Sequence, residues 1–156
     1  MKYFIDFEFY DREDVRKAPL FISVGVCSLD GREYYAESDY ALARCDEDNW
    51  LTENVKPYLT GEGIDESMIS KELEKFMVDP EEIWAWYGAY DYVCFCKLWG
   101  RMINLPEQFP MYFHEIQQVH GGRGSNKLPK QSSVEHHALN DAKYVRECYN
   151  KLVLGE

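Results

Sequence analysis

Residues 2–9 are the part of this sequence that most constrains how the chain can fold. They read Lys-Tyr-Phe-Ile-Asp-Phe-Glu-Phe and are rich in the aromatic and β-branched side chains that favour strands. Successive side chains of a strand point to opposite faces, so the segment predicts a first strand with two neighbouring carboxylates on one face. The two predicted faces carry Tyr3, Ile5, Phe7 and Phe9 on one side and Phe4, Asp6 and Glu8 on the other.

The rest of the chain predicts further strands and then helices. Residues 20–28 form a second apolar strand, and the Asp30-Gly31 turn leads into a third strand over 32–37, paired antiparallel with the second. Spacing and breakers predict a strand over 82–87 and helices over 49–59, 67–78, 90–99, 112–119 and 138–152. At 156 residues with 46% apolar content, we expect one α/β domain over 1–156, a mixed sheet covered by helices.

The cysteines and the hydropathy indicate the cellular compartment of the protein. Its five cysteines form an odd set without a CxxC pair, which fits reduced thiols in a reducing compartment. No apolar run reaches the length of a membrane span or of a signal peptide's apolar region. We therefore expect a cytoplasmic protein without a membrane partner.

The charge is unevenly distributed. A net charge of -11 is unusual for a protein that binds nucleic acid, but residues 30–82 hold sixteen acids and five bases and carry all of it. Between His120 and Val134 there are three bases and no acid, in a stretch whose glycines and serines predict a loop. This loop, with Arg123, Lys127 and Lys130, could follow a phosphate backbone or be a solvated surface loop.

Asp6 and Glu8 are the first candidates for chemistry. Two carboxylates side by side on an apolar strand raise each other's pKa unless a cation compensates. Mg²⁺ and Mn²⁺ prefer such oxygen ligands, so a metal site would explain the pair. The alternative is an exposed strand end at which both acids are simply solvated.

Four further polar residues lie near predicted helix starts. Asp91 follows a Gly-Ala-Tyr turn, where capping and the helix dipole also favour an acid. His136 precedes Asp141 by five residues, a spacing at which two helical residues would diverge, so we expect His136 in the loop before the helix. A surface or capping role is the alternative for His136, and more so for His137.

Together these motifs resemble a known superfamily. Asp6-x-Glu8, Asp91 and His136-x-Ala138-x-x-Asp141 resemble the three motifs of the DEDDh 3′-to-5′ exonucleases in order and separation. The chain is also similar to the RNase AS family of polyadenylate-directed exoribonucleases. That similarity includes residues 3–9, Ile-Ser-Val-Gly-Val at 22–26, Asp-Gly-Arg-Glu-Tyr-Tyr-Ala at 30–36 and Trp-Ala-Trp-Tyr-Gly-Ala-Tyr-Asp at 84–91.

The resemblance implies an RNase H-like fold of about five strands, with the second antiparallel, and a homodimer. It implies two Mg²⁺ ions, with Mn²⁺ as a substitute, of which Asp6, Glu8 and Asp141 would bind the first. Asp6 would help to hold the second, and Asp91 would complete the site directly or through water. His136 would be the general base, for which an unperturbed pKa of about 6.5 is suitable.

The implied activity is hydrolysis of single-stranded RNA from the 3′ end, with poly(A) tails as a candidate substrate. A terminal nucleotide must separate from its neighbours and stack on side chains. The candidate substrate-binding residues are Phe7, Glu8, Phe9, Trp86, Tyr90, Arg123 and Lys127, with core burial as the alternative for Phe7 and Trp86. A DNA-directed 3′-to-5′ exonuclease and a catalytically silent nucleic-acid-binding module are the rival functions.

Overall fold

A computed structural model describes residues 1–14, 16–120 and 128–155. The strands in these ranges are β1 (Lys2–Tyr10), β2 (Leu20–Ser28), β3 (Glu33–Glu37), β4 (Glu82–Ala85) and β5 (His114–Glu115). They form a single mixed sheet in the order β3-β2-β1-β4-β5. β1 pairs antiparallel with β2 and parallel with β4, so the strand that carries Asp6 and Glu8 lies at the centre of the sheet.

Helices cover both faces of this sheet. The described helices are α1 (Ala41–Cys45), α2 (Asn49–Asn54), α3 (Glu66–Phe76), α4 (Ala89–Lys97), α5 (Ile116–His120) and α6 (Ala138–Tyr149). Short 3₁₀ turns follow at Lys56–Tyr58 and Met102–Asn104, and α6 continues into a π-helical turn at Asn150–Leu154. The prediction of an α/β architecture with a mixed five-stranded sheet is confirmed.

Two predicted helices differ from the structure, and one observed helix was not predicted. The single helix predicted over 49–59 is two elements, because Pro57 lacks an amide hydrogen and lies in a separate 3₁₀ turn. The helix predicted over 112–119 begins only at Ile116, because His114 and Glu115 pair with β4 as an edge strand. The short helix α1 was not predicted.

The alternation along β1 divides the apolar core in two. Tyr3, Ile5 and Phe7 belong to a cluster with side chains of α3 and α4 on one face of the sheet. Phe4 packs on the other face against residues of α6 that include Val145 and Tyr149. Asp6 and Glu8 share this second face, so the fold directs both carboxylates toward α6.

Gly25 sets the distance between α6 and the sheet. It lies on β2 directly opposite Asp6. A Cβ atom at Gly25 would lie 2.2 Å from the backbone nitrogen of Leu139 and 2.3 Å from the carbonyl carbon of Ala138. Only glycine therefore permits the start of α6 to lie this close to the strand pair.

In the described residues, no helix combines the length and the apolar character that crossing a membrane requires.

Candidate active site

The two acids of β1 are withdrawn from solvent. Glu8 is 9% exposed, and Asp6 is partly buried between the sheet and α6. The register of β1 against β2 shifts between Glu8 and Phe9, so regular pairing changes directly after the second acid. The alternative prediction, that both acids are simply solvated at an exposed strand end, is therefore wrong for Glu8.

The Asp91 carboxylate reaches from the first turn of its own helix to β1. It lies in the first turn of α4, whose N-cap is Gly88 and has no side-chain capping bond. The Asp91 carboxylate is 4% exposed and accepts a hydrogen bond of 2.8 Å from the backbone N–H of Phe7. This bond fixes Asp91 beside the strand that carries Asp6 and Glu8.

Asp141 and His136 enter the site from the start of α6. His136 lies before the helix, as predicted, with a left-handed φ of 61°, and its backbone N–H donates to Asp141 Oδ2 at 2.9 Å. Gln131 donates a second hydrogen bond to Asp141 Oδ1. Ligand atoms of Glu8, His136 and Asp141 all lie within 4.8 Å of one another.

The electrostatic environment of the four carboxyl groups is unfavourable to their charge. Burial, followed by the charges of Asp91, Glu8 and Asp141, holds the pKa of Asp6 well above its usual range. Burial and the charges of Asp141 and Asp91 raise the pKa of Glu8 to about 8. Burial raises the pKa of Asp91 to about 7 although the Phe7 amide opposes it, and burial also raises the pKa of Asp141 although Gln131 opposes it.

A cleft of about 460 Å³ opens next to these carboxyl groups. Trp86 and Lys130 form part of its wall, and so do Asp6, His136 and Asp141. Glu8 lines a separate groove of about 360 Å³ together with Phe9, Trp50 and others. Asp6 and Asp141 therefore face one opening with aromatic walls, and Glu8 faces another.

The predicted substrate-binding residues divide into three groups. Trp86 lines the cleft, and Tyr90 stacks on Phe9 with ring centres 5.4 Å apart and an angle of 5° between the ring planes. The Phe7 side chain is 3% exposed and packs on Phe21, so the structure does not bring it to the cleft. Arg123 and Lys127 lie outside the described residues.

Comparison with known proteins identifies the family. Residues 1–153 match the family described as the 3'-5' exoribonuclease Rv2179c-like domain. The chain belongs to the Rv2179c-like family. It is 38% identical over 152 residues to two Mycobacterium tuberculosis proteins, the 3'-5' exoribonucleases Rv2179c and MT2234.1. The similarity covers 92% of this chain and 88% of each relative.

Solved structures show that this Rv2179c-like chain shares its fold with exonuclease I. A structure of exonuclease I matches 99% of the chain with a TM-score of 0.64 at 11% identity, and the zinc-bound E. coli exonuclease I complex with single-stranded DNA matches with 0.64 at 13%. The chain spans about two fifths of the length of these proteins. The predicted 3′-to-5′ exoribonuclease of the RNase H-like superfamily is confirmed.

The carboxyl groups of this Rv2179c-like chain fit a divalent cation. In the described residues, no lysine or arginine forms an ion pair with Asp6, Glu8, Asp91 or Asp141. These carboxyl groups are buried and repel one another, and the described lysines and arginines do not balance their charge. Hard divalent ions prefer carboxylate oxygens, so the donor set suits Mg²⁺ or Mn²⁺.

Sequence reasoning missed two side chains of this Rv2179c-like site. Gln131 bonds Asp141, and Trp50 packs edge-on against His136 with ring centres 4.8 Å apart. Trp50 lies more than 80 residues before His136 in the chain, so no local pattern connects them. Gln131 follows Lys130 in the basic loop, and a search for charged residues does not identify its uncharged amide side chain.

Replacing Gly25 by alanine is expected to displace the start of α6. The added methyl group would overlap the backbone of Ala138 and Leu139, which cannot move without carrying Asp141 with it. We expect a loss of about 1–3 kcal/mol in the free energy of unfolding, which urea denaturation followed by circular dichroism would measure. An unchanged unfolding curve would contradict this close approach.

Proposed function

We propose that this protein removes nucleotides one at a time from the 3′ end of single-stranded RNA and releases nucleoside 5′-monophosphates. On a poly(A) tail the product is AMP. The observation that carries the proposal is the convergence of four carboxyl groups from β1, α4 and α6 beside His136, with no cation from the described chain to balance them. The names of the Mycobacterium tuberculosis relatives support RNA as the substrate class.

The four acids would hold two Mg²⁺ ions, which Mn²⁺ can replace. Asp6, Glu8 and Asp141 would bind one ion, Asp6 would contribute to the second, and Asp91 would complete the site directly or through water. Bound ions in such a pair stabilise the negative charge that develops on the attacking and leaving oxygens. Asp91 is held in place by the Phe7 amide, and Asp141 by the His136 amide and Gln131, so both carboxylates are oriented in advance.

His136 is the general base in this proposal. Its ring nitrogen accepts the proton of the attacking water, and the water oxygen then bonds to phosphorus as the bond to the 3′ oxygen of the preceding nucleotide breaks. That 3′ oxygen takes up a proton from solvent water and leaves as the new 3′-hydroxyl. The ring is only partly buried, so it can exchange that proton with solvent after each cycle. The proximity of its ring to Glu8 and Asp141 supports this role.

The aromatic side chains would bind the terminal nucleotides. Trp86 presents a partly buried ring at the cleft wall, and Tyr90, 48% exposed, is backed by Phe9. Stacking on such rings contributes about 1–3 kcal/mol per base and tolerates any base. A separated single strand can use these surfaces, whereas a duplex keeps its bases stacked on each other.

Replacing Arg123, Lys127 and Lys130 together by alanine is expected to weaken RNA binding and to flatten its dependence on salt. Lys130 lines the cleft, and the other two lie in the same basic stretch. Loss of three phosphate contacts would reduce the slope of log K against log salt by about 2, since each contact on single strands contributes about 0.7. Fluorescence anisotropy with a labelled oligonucleotide at several salt concentrations measures this slope, and an unchanged slope would exclude the loop from binding.

The activity itself is tested with a 5′-labelled adenosine RNA and the matched DNA, in Mg²⁺, Mn²⁺ or EDTA. We expect a ladder that shortens from the 3′ end of the RNA, disappears in EDTA, and is lost in Asp6→Ala and His136→Ala. Glu74→Gln is the matched control, because Glu74 is an exposed acid of α3, which packs on the opposite face of the sheet. Faster degradation of DNA would indicate a DNA exonuclease, and no degradation of either would indicate a binding module.

The remaining expectations concern the whole protein. We propose one domain over 1–156, a homodimer and a cytoplasmic location. The five cysteines are all free thiols, which supports a reducing compartment. Size-exclusion chromatography with light scattering tests the dimer, and a monomer mass would contradict it.

A further inference from the structure

Trp50 contacts the proposed general base from a separate part of the fold. The centres of the Trp50 and His136 rings are 4.8 Å apart, and the ring planes meet at 78°. Trp50 lies in the first turn of α2, and its side chain is half exposed. It also lines the groove beside Glu8, so it lies at the site and not on a distant surface.

The helix that carries Trp50 is firmly attached to the sheet. Asp48 caps its start by accepting a hydrogen bond of 3.0 Å from the Leu51 amide. Leu51 and Val55 are buried in a cluster with Ile22 of β2. Because a cap and two buried side chains fix α2, the Trp50 ring is presented to His136 from a rigid support.

The orientation of the His136 ring depends on packing against such a support. Its backbone has a left-handed φ of 61°, which non-glycine residues seldom adopt, and its amide bonds Asp141. No described residue forms a hydrogen bond with its imidazole ring, so ring packing limits the rotamers of this side chain. The next residue, His137, is fixed differently, by stacking on Tyr35 with ring centres 4.6 Å apart.

We propose that Trp50 is a positioning residue that holds the His136 imidazole in its reactive orientation. The inference rests on the proposed function of His136 as general base. Without the indole edge, the ring samples additional rotamers and spends less time aligned with the attacking water. A small misalignment of a catalytic group lowers the rate by about 10- to 100-fold, mainly in kcat.

Two variants of Trp50 and one control variant distinguish this role from RNA binding and from general structure. Trp50→Ala removes the contact, Trp50→Phe keeps an aromatic ring at the same place, and Tyr58→Ala is a matched control at an exposed aromatic residue of the following 3₁₀ turn. At fixed pH and saturating Mg²⁺, we expect a fall in kcat of about 10- to 100-fold for Trp50→Ala, with KM changed less than about threefold. Trp50→Phe should recover most of the rate, and Tyr58→Ala should match the wild type.

A double-variant comparison tests whether Trp50 acts through His136. In single-turnover reactions, Trp50→Ala should cause no further loss when His136 is already alanine, because the group that it positions is gone. An equal loss in that background, or a raised KM with unchanged kcat, would overturn the proposal and assign Trp50 to RNA binding or to general structure.

A measurement without substrate or metal keeps the inference distinct from the proposed function. NMR relaxation of the His136 ring Cε1–H group, assigned by comparison with His136→Ala, should show increased mobility in Trp50→Ala and not in Tyr58→Ala. Unchanged mobility overturns the positioning role whatever the kinetics. Wild-type activity in His136→Ala would instead refute the general base, while the NMR result would still decide whether Trp50 orders the ring.

Discussion

Replacing Asp6 by asparagine is expected to lower the rate of RNA hydrolysis by roughly 10²- to 10³-fold or more, the scale seen when one preorganised electrostatic contact of an active site is removed. Asp6 interacts electrostatically with all three other acids of the site, so removing its charge affects the whole carboxyl cluster. The amide has nearly the same shape, so the fold is retained. Single-turnover cleavage of labelled RNA measures the effect, with Glu74→Gln as control.

The same substitution is expected to stabilise the protein when divalent ions are absent. Asparagine carries no charge to be buried or repelled, so the penalty on Asp6 and part of the repulsion on Glu8 and Asp91 disappear. We expect a higher melting temperature than that of the wild type in EDTA, and a lower one when Mg²⁺ is abundant. A variant that is inactive and also less stable in EDTA would show that Asp6 is structural.

In EDTA, the stability of the wild-type protein is expected to fall as the pH rises from about 4.5 to about 8. The folded-state pKa values of Glu8, about 8, and Asp91, about 7, lie above their usual values, so the unfolded chain releases these protons first. Below the unfolded-state pKa values, both carboxyl groups are protonated in either state, so the stability is not reduced. Above the folded-state pKa values, the reduction in stability is complete. A loss of only about 2 kcal/mol would lower the melting temperature by roughly 4–8 °C for a chain of this size.

Divalent ions should restore the stability of the folded protein most strongly at alkaline pH. Bound cations favour the ionised carboxylates, so the increase in melting temperature with Mg²⁺ should be larger at about pH 8 than at about pH 5. Scanning fluorimetry in EDTA and in Mg²⁺ at both pH values provides the comparison, and Glu8→Gln should show a smaller dependence on pH. Equal stabilisation at both values would mean that Mg²⁺ binds elsewhere.

Local patterns in the sequence predicted the centre of this fold correctly. The alternation over residues 2–9 places Asp6 and Glu8 on one face of β1, because a strand offers only two directions to a side chain. The antiparallel pairing of β2 and β3 follows from the Asp30-Gly31 turn, in which Gly31 has the left-handed φ of 94° that such turns require. Both predictions depend on residues that are close in sequence.

Contacts between distant segments were not predictable in the same way. β5 has two residues and exists only because β4 offers an open edge to His114 and Glu115. Asp91 could equally have been a capping residue, and only the fold brings the Phe7 amide within 2.8 Å of its carboxylate. The contact of Trp50 with His136 likewise results from how α2 and α6 are placed on the sheet.

The contribution of the last helix to the site has a consequence for biosynthesis. Asp6 and Glu8 leave the ribosome early, but Asp141 and His136 follow more than 125 residues later, and α6 must then pack on Gly25 before the four acids meet. On the proposed function, a nascent chain without α6 has no complete site, so nuclease activity is expected only after the sheet and α6 have come together.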